Sequence, residues 1–274
     1  MSSNHKKEDK MKQLKLKTII VCLNALLLCS CAATDNEIPE QPVEQLYMQG
    51  YNYFKEKSYS DSARYFDEID KQHPYSVWAP RAQIMAAYAY YSENKYDDAI
   101  LILDRFIQLH PGNRNIVYAY YLKGLCYFEQ MSDVSREQKM TEDALATFQE
   151  ILSRYPNSIY TADINVKLKE IEAHLAGKEM AVGRYYLKHG DFIPAMNRFQ
   201  TVLLEHPMTN QTPEAIYRIV VCYISLGMNP QAKRMSQVLQ KVYPNNEWTQ
   251  KALKLVQKYQ PEPLEKEPKK EKKD

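Results

Sequence analysis

A doublet recurs five times along the chain: an aromatic residue or histidine, then proline, each time closing an apolar run. It stands at His73-Pro74, His110-Pro111, Tyr155-Pro156, His206-Pro207 and Tyr243-Pro244, with successive spacings of 37, 45, 51 and 37 residues. The residues before each proline repeat as well. Twelve earlier sits a small residue: Ser62, Ala99, Ala144, Ala195 or Ala232. Eight earlier sits a larger one, Phe66, Leu103, Phe148 or Phe199, with Ser236 as the exception. Five earlier the residue is apolar: Ile69, Phe106, Ile151, Val202 or Leu239. Twenty-four earlier come Gly50, Ala87, Gly183 and Val220, each followed three residues on by a tyrosine; Gly124 and Tyr127 play these roles in the third unit, shifted by eight.

A period of this kind is the tetratricopeptide (TPR) pattern, whose unit is ~34 residues of helix–turn–helix. Small residues let paired helices approach, large ones fill the gap, and proline ends the second helix. One unit cannot bury its apolar face alone, so stacked units share a continuous core. The expected fold is all-α: a TPR-type helical-repeat superhelix of five helix pairs plus a C-terminal capping helix over 247–259. The longer spacings predict a polar loop near Ser132–Lys139 and an extra helix over Ser158–Ala176. Ile164, Leu168, Ile171 and Leu175 give that helix its period. It is expected to run on into Lys178–Lys188 unless Gly177 breaks it. Thr212-Pro213 and Asn229-Pro230 read as N-caps followed by a first-turn proline.

Composition removes several classes of function. Only seven glycines occur, and no GxGxxG or GxxxxGK passes through them, so a nucleotide enzyme of the usual kinds is not expected. The six histidines form no metal-binding spacing, and there is no GxSxG elbow. Three histidines precede repeat prolines, where capping explains them. We expect neither a catalytic residue nor a metal site, and no enzyme. The net charge of +2 is concentrated in residues 1–30, where six lysines face two acids, leaving a near-neutral body with no footprint for nucleic acid.

The N-terminus reads as an address. Lysines up to Lys17, an apolar run from Ile19 to Leu28 and a small residue at Ser30 describe a secretory signal, too short to span a membrane. Met11 is an equally complete start. Leu28-Cys29-Ser30-Cys31 resembles a bacterial lipobox, which makes Cys31 the acylated first residue of the mature chain, with covalent diacylglycerol and palmitate and no other cofactor. A plain secretory signal with incidental cysteines is the alternative. Acyl chains contribute ~0.8 kcal/mol per buried methylene, enough for two or three chains to hold a domain on a bilayer. Ala32 after the cysteine resembles the outer-membrane sorting signal. The expected divisions are 1–30 signal, 31–43 tether, 44–156 repeats one to three, 157–260 repeats four and five with the cap, and 261–274 a charged disordered tail. Cys126 and Cys222 read as buried thiols, with a disulfide between them left open.

In a TPR superhelix the first helix of each pair lines the inner face. The corresponding positions are Tyr47, Tyr51, Phe54 and Lys55 in repeat one and Arg81, Ile84, Tyr88 and Tyr91 in repeat two. Repeat three supplies Tyr118, Tyr121, Leu125 and Phe128. A mostly aromatic wall suits a peptide groove, because large rings give contact area at low entropic cost; Arg81 and Lys55 suit a carboxylate. For any single tyrosine, packing between helices is an equal alternative.

HPYSVWAPRAQIMAAYAYYSENKYDDAILILDRFIQLHP, NIVYAYYLKGLCYFEQM, SIYTADI and HLAGKEMAVGRYYLKHGDFIPAMNRF together resemble the BamD family, the lipoprotein subunits of the outer-membrane β-barrel assembly machinery. The resemblance runs from about Glu44 to Pro244. It implies five TPRs, a lipid anchor at Cys31 and an outer-membrane location on the periplasmic face. It further implies an N-terminal half that receives C-terminal signals of nascent outer-membrane proteins. The C-terminal half would hold the last POTRA domain of BamA and, where present, BamC and BamE. Lys188–Asp191 and Gly177 depart from the usual run, so that partner surface carries over only as a region. Another periplasmic TPR adaptor, in cell division or peptidoglycan synthesis, is the competing expectation.

Overall fold

Each apolar run between turn residues forms a helix, and the prolines fall just beyond helix ends. The computed structural model describes residues 38–259, and among these every regular element is helical. Three pairs come first: α1 (Val43–Lys55) with α2 (Tyr59–Gln72), α3 (Ala79–Ser92) with α4 (Tyr96–Leu109), and α5 (Ile116–Glu129) with α6 (Lys139–Arg154). A 29-residue helix, α7 (Thr161–His189), then pairs with α8 (Phe192–Glu205). The fifth pair is α9 (Thr212–Ser225) and α10 (Asn229–Val242), capped by α11 (Glu247–Lys258), which packs on both. The signal segment, Cys31 and the charged tail lie outside the described residues.

The doublets end the second helices by one mechanism. The N–H of His73, His110, Tyr155, His206 and Tyr243 each donates to the carbonyl four residues back, at 2.7–3.0 Å, and the following proline has no N–H to continue the ladder. The acceptors are the carbonyls of Ile69, Phe106, Ile151, Val202 and Leu239, so one residue both fills the core and closes the last turn. In four of the five pairs the turn from first to second helix also repeats. A residue with positive φ sits seventeen before the proline: Lys57 (61°), Asn94 (60°), Gly190 (84°) and Gly227 (73°). Left-handed backbone favours glycine or asparagine, and Lys57 departs from that preference.

Inside each pair, size is matched across the gap. Gly50, Gly124 and Gly183 lie against the rings of Phe66, Phe148 and Phe199, where an added Cβ would come within 3.0, 2.5 and 2.5 Å. Repeat two places buried Ala87 and Leu103 at these positions, and repeat five places Val220 and Ser236 there. The residue sizes trade off, so Ser236 compensates for Val220. Each fully buried ring contributes about 1.5–3 kcal/mol of burial. Ser62 is buried because its hydroxyl donates to the Gly50 carbonyl at 2.9 Å.

Two details differ from the sequence reading. Thr212 does not cap α9: its hydroxyl donates to the Pro207 carbonyl at 3.0 Å. Thr161 donates likewise to Pro156 at 3.1 Å, and Thr249 to Tyr243 at 2.6 Å. These threonines fasten the loop behind them rather than the helix ahead. Asn229 is the first residue of α10 and caps nothing, whereas Asn246 accepts the Trp248 N–H at 3.0 Å.

Gly177 does not break α7. It is a close approach, where a Cβ would stand 3.2 Å from both Val134 and Gln211. Val134 belongs to the inserted loop between α5 and α6, which buried Gln138 ties down by donating to the Asp133 and Arg136 carbonyls at 3.1 and 2.9 Å. Gln211, in the α8–α9 loop, donates to the Ala173 carbonyl at 2.9 Å, and His206 pairs with Glu172. The long helix, ~43 Å at 1.5 Å per residue, therefore shifts repeats four and five by about one helix length. Their inter-repeat loop meets the within-repeat loop of repeat three. Cys126 and Cys222 are buried free thiols, pushed up to about 12 and about 11 by burial.

Candidate functional site: an aromatic row on the first helices

The rings predicted along α1, α3 and α5 form two connected groups, one across α1 and α3 and one on α5. Tyr51 is 37% exposed, with the Lys55 ammonium 4.6 Å above its ring. Phe54 meets Tyr88 at 5.4 Å between centroids, and Tyr88, 36% exposed, stacks on Tyr91 at 6.3 Å. Tyr91 reaches Tyr96 at 5.7 Å and donates towards Glu129 at 3.5 Å. Burial, then the Glu129 charge, pushes its phenol up to about 12. Burial likewise raises the phenols of Tyr118 and Tyr121. Of the other predicted positions, Ile84 is buried and Leu125 half-buried.

The row ends on Tyr160, which follows Pro156 by four residues as Trp78 follows Pro74 and Trp248 follows Pro244, and on two residues of α7 that no repeat position describes. Tyr160, just before α7, stacks on Tyr121 at 4.4 Å and lies 6.0 Å from Tyr118. The Tyr121 hydroxyl donates to Asp163 at 2.7 Å. Lys167 places its ammonium 4.6 Å from the ring of Phe128, whose other neighbour is Phe148 at 6.5 Å. The N-terminal half of α7 is thus a fourth wall. Its signal was present as Tyr160, Asp163 and Lys167, spaced three and four apart.

Two predicted positions fall elsewhere. Tyr47 is a core residue, only 7% exposed, wedged between Phe66 at 5.2 Å and Trp78 at 4.8 Å. It sits in the first turn of α1, where the α2–α3 loop closes over it. Arg81 is exposed, but its guanidinium lies over Tyr47 at 5.3 Å and Trp78 at 6.0 Å. It belongs to the edge of the stack rather than to the row.

The second half is built differently. Arg184 on α7 and Arg218 on α9 converge on Glu214, at 2.6 and 3.1 Å. Burial opposes ionisation of Glu214, but the two arginines hold its carboxyl below the usual range. Arg218 also covers Tyr217 and Trp248. Among the described residues, no group of three or more His, Cys, Asp or Glu could hold a metal, and no helix is long and apolar enough to cross a membrane.

Stacked helix pairs with aromatic rings along their first helices define a TPR-type repeat protein. The profile of the YfiO family, described as outer membrane lipoproteins, matches residues 39–239. The outer membrane protein assembly factor BamD of Caulobacter vibrioides is 41% identical over 243 residues, 87% of this chain and 80% of its own. That of Rickettsia prowazekii is 38% identical over 251 residues, 91% of this chain and all of its own. The chain belongs to this BamD family of outer-membrane lipoproteins. Among solved structures, the TPR domain of P58(IPK) aligns with a TM-score of 0.42 and 17% identity, over 78% of this chain and 55% of that one, too distant to add to the assignment.

Proposed function

We propose that the chain is a non-enzymatic outer membrane protein assembly factor whose aromatic row receives the extended C-terminal segments of β-barrel precursors. The observation that carries the reading is two sets of ring contacts along the first helices, Phe54–Tyr88–Tyr91 and Tyr118–Tyr160–Tyr121, with half-open Tyr51 beside Lys55 on α1. An extended strand presents alternate side chains at a regular rise, and rings half-open along neighbouring helices suit such a ligand. Acyl chains on Cys31 hold the protein to the periplasmic face of the outer membrane. Repeats four and five, with α11, hold the last POTRA domain of BamA and, where present, BamC and BamE. The Arg184–Glu214–Arg218 bridge keeps that half rigid for the task.

The test is mild detergent extraction of outer membranes, followed by pull-down and photo-crosslinking from positions 51 and 88. The expected result is recovery of BamA and crosslinks to the last strand of barrel precursors. Crosslinks formed only elsewhere would remove the groove assignment. Absence of BamA would give the chain to another periplasmic adaptor system.

A further inference from the structure

The edge of the first three repeats from which α1, α3 and α5 start carries a second, chemically different site. That these helices start on one edge follows from contacts. Tyr47, in the first turn of α1, touches Trp78 in the α2–α3 loop, and Tyr118, in the first turn of α5, touches Tyr160 in the α6–α7 loop. The α2–α3 and α4–α5 loops enclose one open cavity of about 710 Å³, lined by Val77, Trp78, Arg81, Asn113, Arg114 and Asn115.

This cavity is electropositive by construction. Most arginines of the described residues pair with a carboxylate, but neither Arg81 nor Arg114 has one within ion-pair distance; Arg81 rests only on rings. The two helices that start at its rim, α3 and α5, have no acid in their first turns, whereas α1, α2, α4, α6 and α7 all have one. Their N-terminal dipoles add to the arginine charge. Glu40 and Glu44, beside the start of α1, and Asp163, in the first turn of α7, are acids of the same edge, but none of them lines the cavity.

Beside the charge stand apolar tips with no packing role. Tyr75 is fully exposed, Val77 is 90% exposed, and Ile159, in the corresponding loop after repeat three, is 87% exposed. Apolar tips next to arginines, with a tryptophan at the rim, are the composition of an interfacial membrane contact: rings and aliphatic groups enter the headgroup–acyl boundary while guanidinium groups meet phosphate. A peptide terminus would use the arginines but leave these tips in water.

The chain also enters the fold here. Twelve Cα-to-Cα steps lead from Cys31 to the start of α1, about 40 Å at full extension. An anchor at Cys31 limits the distance of the start of α1 from the bilayer to that reach. We propose that this edge is a phospholipid-binding surface. Arg81 and Arg114 take an anionic headgroup phosphate, and Tyr75, Val77 and Ile159 insert beside it. The argument from reach rests on acylation of Cys31; the cavity and the tips do not.

The test places an environment-sensitive fluorophore on Val77→Cys, Ile159→Cys or, as a reference, Val242→Cys, since Cys126 and Cys222 are buried and do not label. The full acylated chain is reconstituted into phosphatidylethanolamine vesicles with or without phosphatidylglycerol, and the acyl mass at the N-terminus is measured separately. The expected result is a blue shift at positions 77 and 159, quenching there by brominated lipid, and neither at 242. At about 1 kcal/mol per arginine near an anionic surface, Arg81→Gln with Arg114→Gln should weaken phosphatidylglycerol-dependent partition of the unacylated Cys31→Ser chain about 30-fold. If the acyl mass is present and position 77 stays in water, the surface proposal fails while the anchor stands. If the acyl mass is missing, the anchor reading fails, and arginine-dependent partition of the chain still decides the surface. If the arginine pair leaves partition unchanged but abolishes binding of a peptide with a free C-terminus, the cavity is a carboxylate site and the proposal is overturned.

Discussion

Gly124 leaves no room for a side chain beside Phe148: an added Cβ would stand 2.5 Å from the ring. The same contact recurs at Gly183 with Phe199, and the alternative appears in repeat two, where Ala87 accompanies Leu103. Gly124→Ala should therefore destabilise the protein although helix propensity alone favours alanine by about 1 kcal/mol. Overpacking costs ~1–3 kcal/mol, enough to reverse that gain. Adding Phe148→Leu should restore most of the loss by recreating the repeat-two combination. Urea unfolding of the single and double variants measures both. A single variant as stable as wild type would show that the ring moves aside freely.

Lys57 holds a left-handed turn at φ 61° that Gly190 and Gly227 provide elsewhere. Relieving the Cβ conflict should make Lys57→Gly more stable by about 1 kcal/mol. The same change at Arg64, exposed within α2, should cost about 1 kcal/mol. Thermal unfolding of the two variants should shift in opposite directions.

Asp67 accepts the Tyr90 hydroxyl at 2.9 Å, and its pKa is raised, first by burial, although that hydrogen bond and Arg105 oppose the rise. A carboxyl whose folded pKa lies above its unfolded value costs stability once pH exceeds both. Asp67→Asn, which keeps an acceptor for Tyr90, should raise the urea midpoint at pH 7. The gain should shrink as pH falls towards 4, where the native aspartate takes up its proton. A gain independent of pH would assign the effect to packing instead.

The repeat frame was readable because it depends on residue size at fixed offsets, as at Ala195 and Phe199 or Ile69 before Pro74. What escaped were contacts between neighbouring units. Tyr47 occupies a wall position by register, yet Trp78, four residues after Pro74, folds over it, as Tyr160 after Pro156 stacks on Tyr121 and Trp248 after Pro244 packs on Tyr217. Asp163 and Lys167 join the row because α7 is an added helix and no motif position describes it. Gly177 reads as a helix breaker, but what requires glycine there is the approach of Val134 and Gln211, residues 43 and 34 positions away in the chain. Thr212 has the sequence of a cap, but its hydroxyl reaches Pro207 behind it instead.

The central claim is that the rings of the first helices bind an extended chain. The direct measurement is the affinity of the protein for a peptide from the last strand of a barrel precursor, with Tyr88→Ala compared against Tyr75→Ala. Tyr88 lies in the row, Tyr75 on the outer edge. Loss of a central aromatic hot spot costs about 2 kcal/mol or more, so Tyr88→Ala should raise Kd about 30-fold while Tyr75→Ala leaves it unchanged. Equal affinities for the two variants and the wild type, with all three fully folded, would contradict the account.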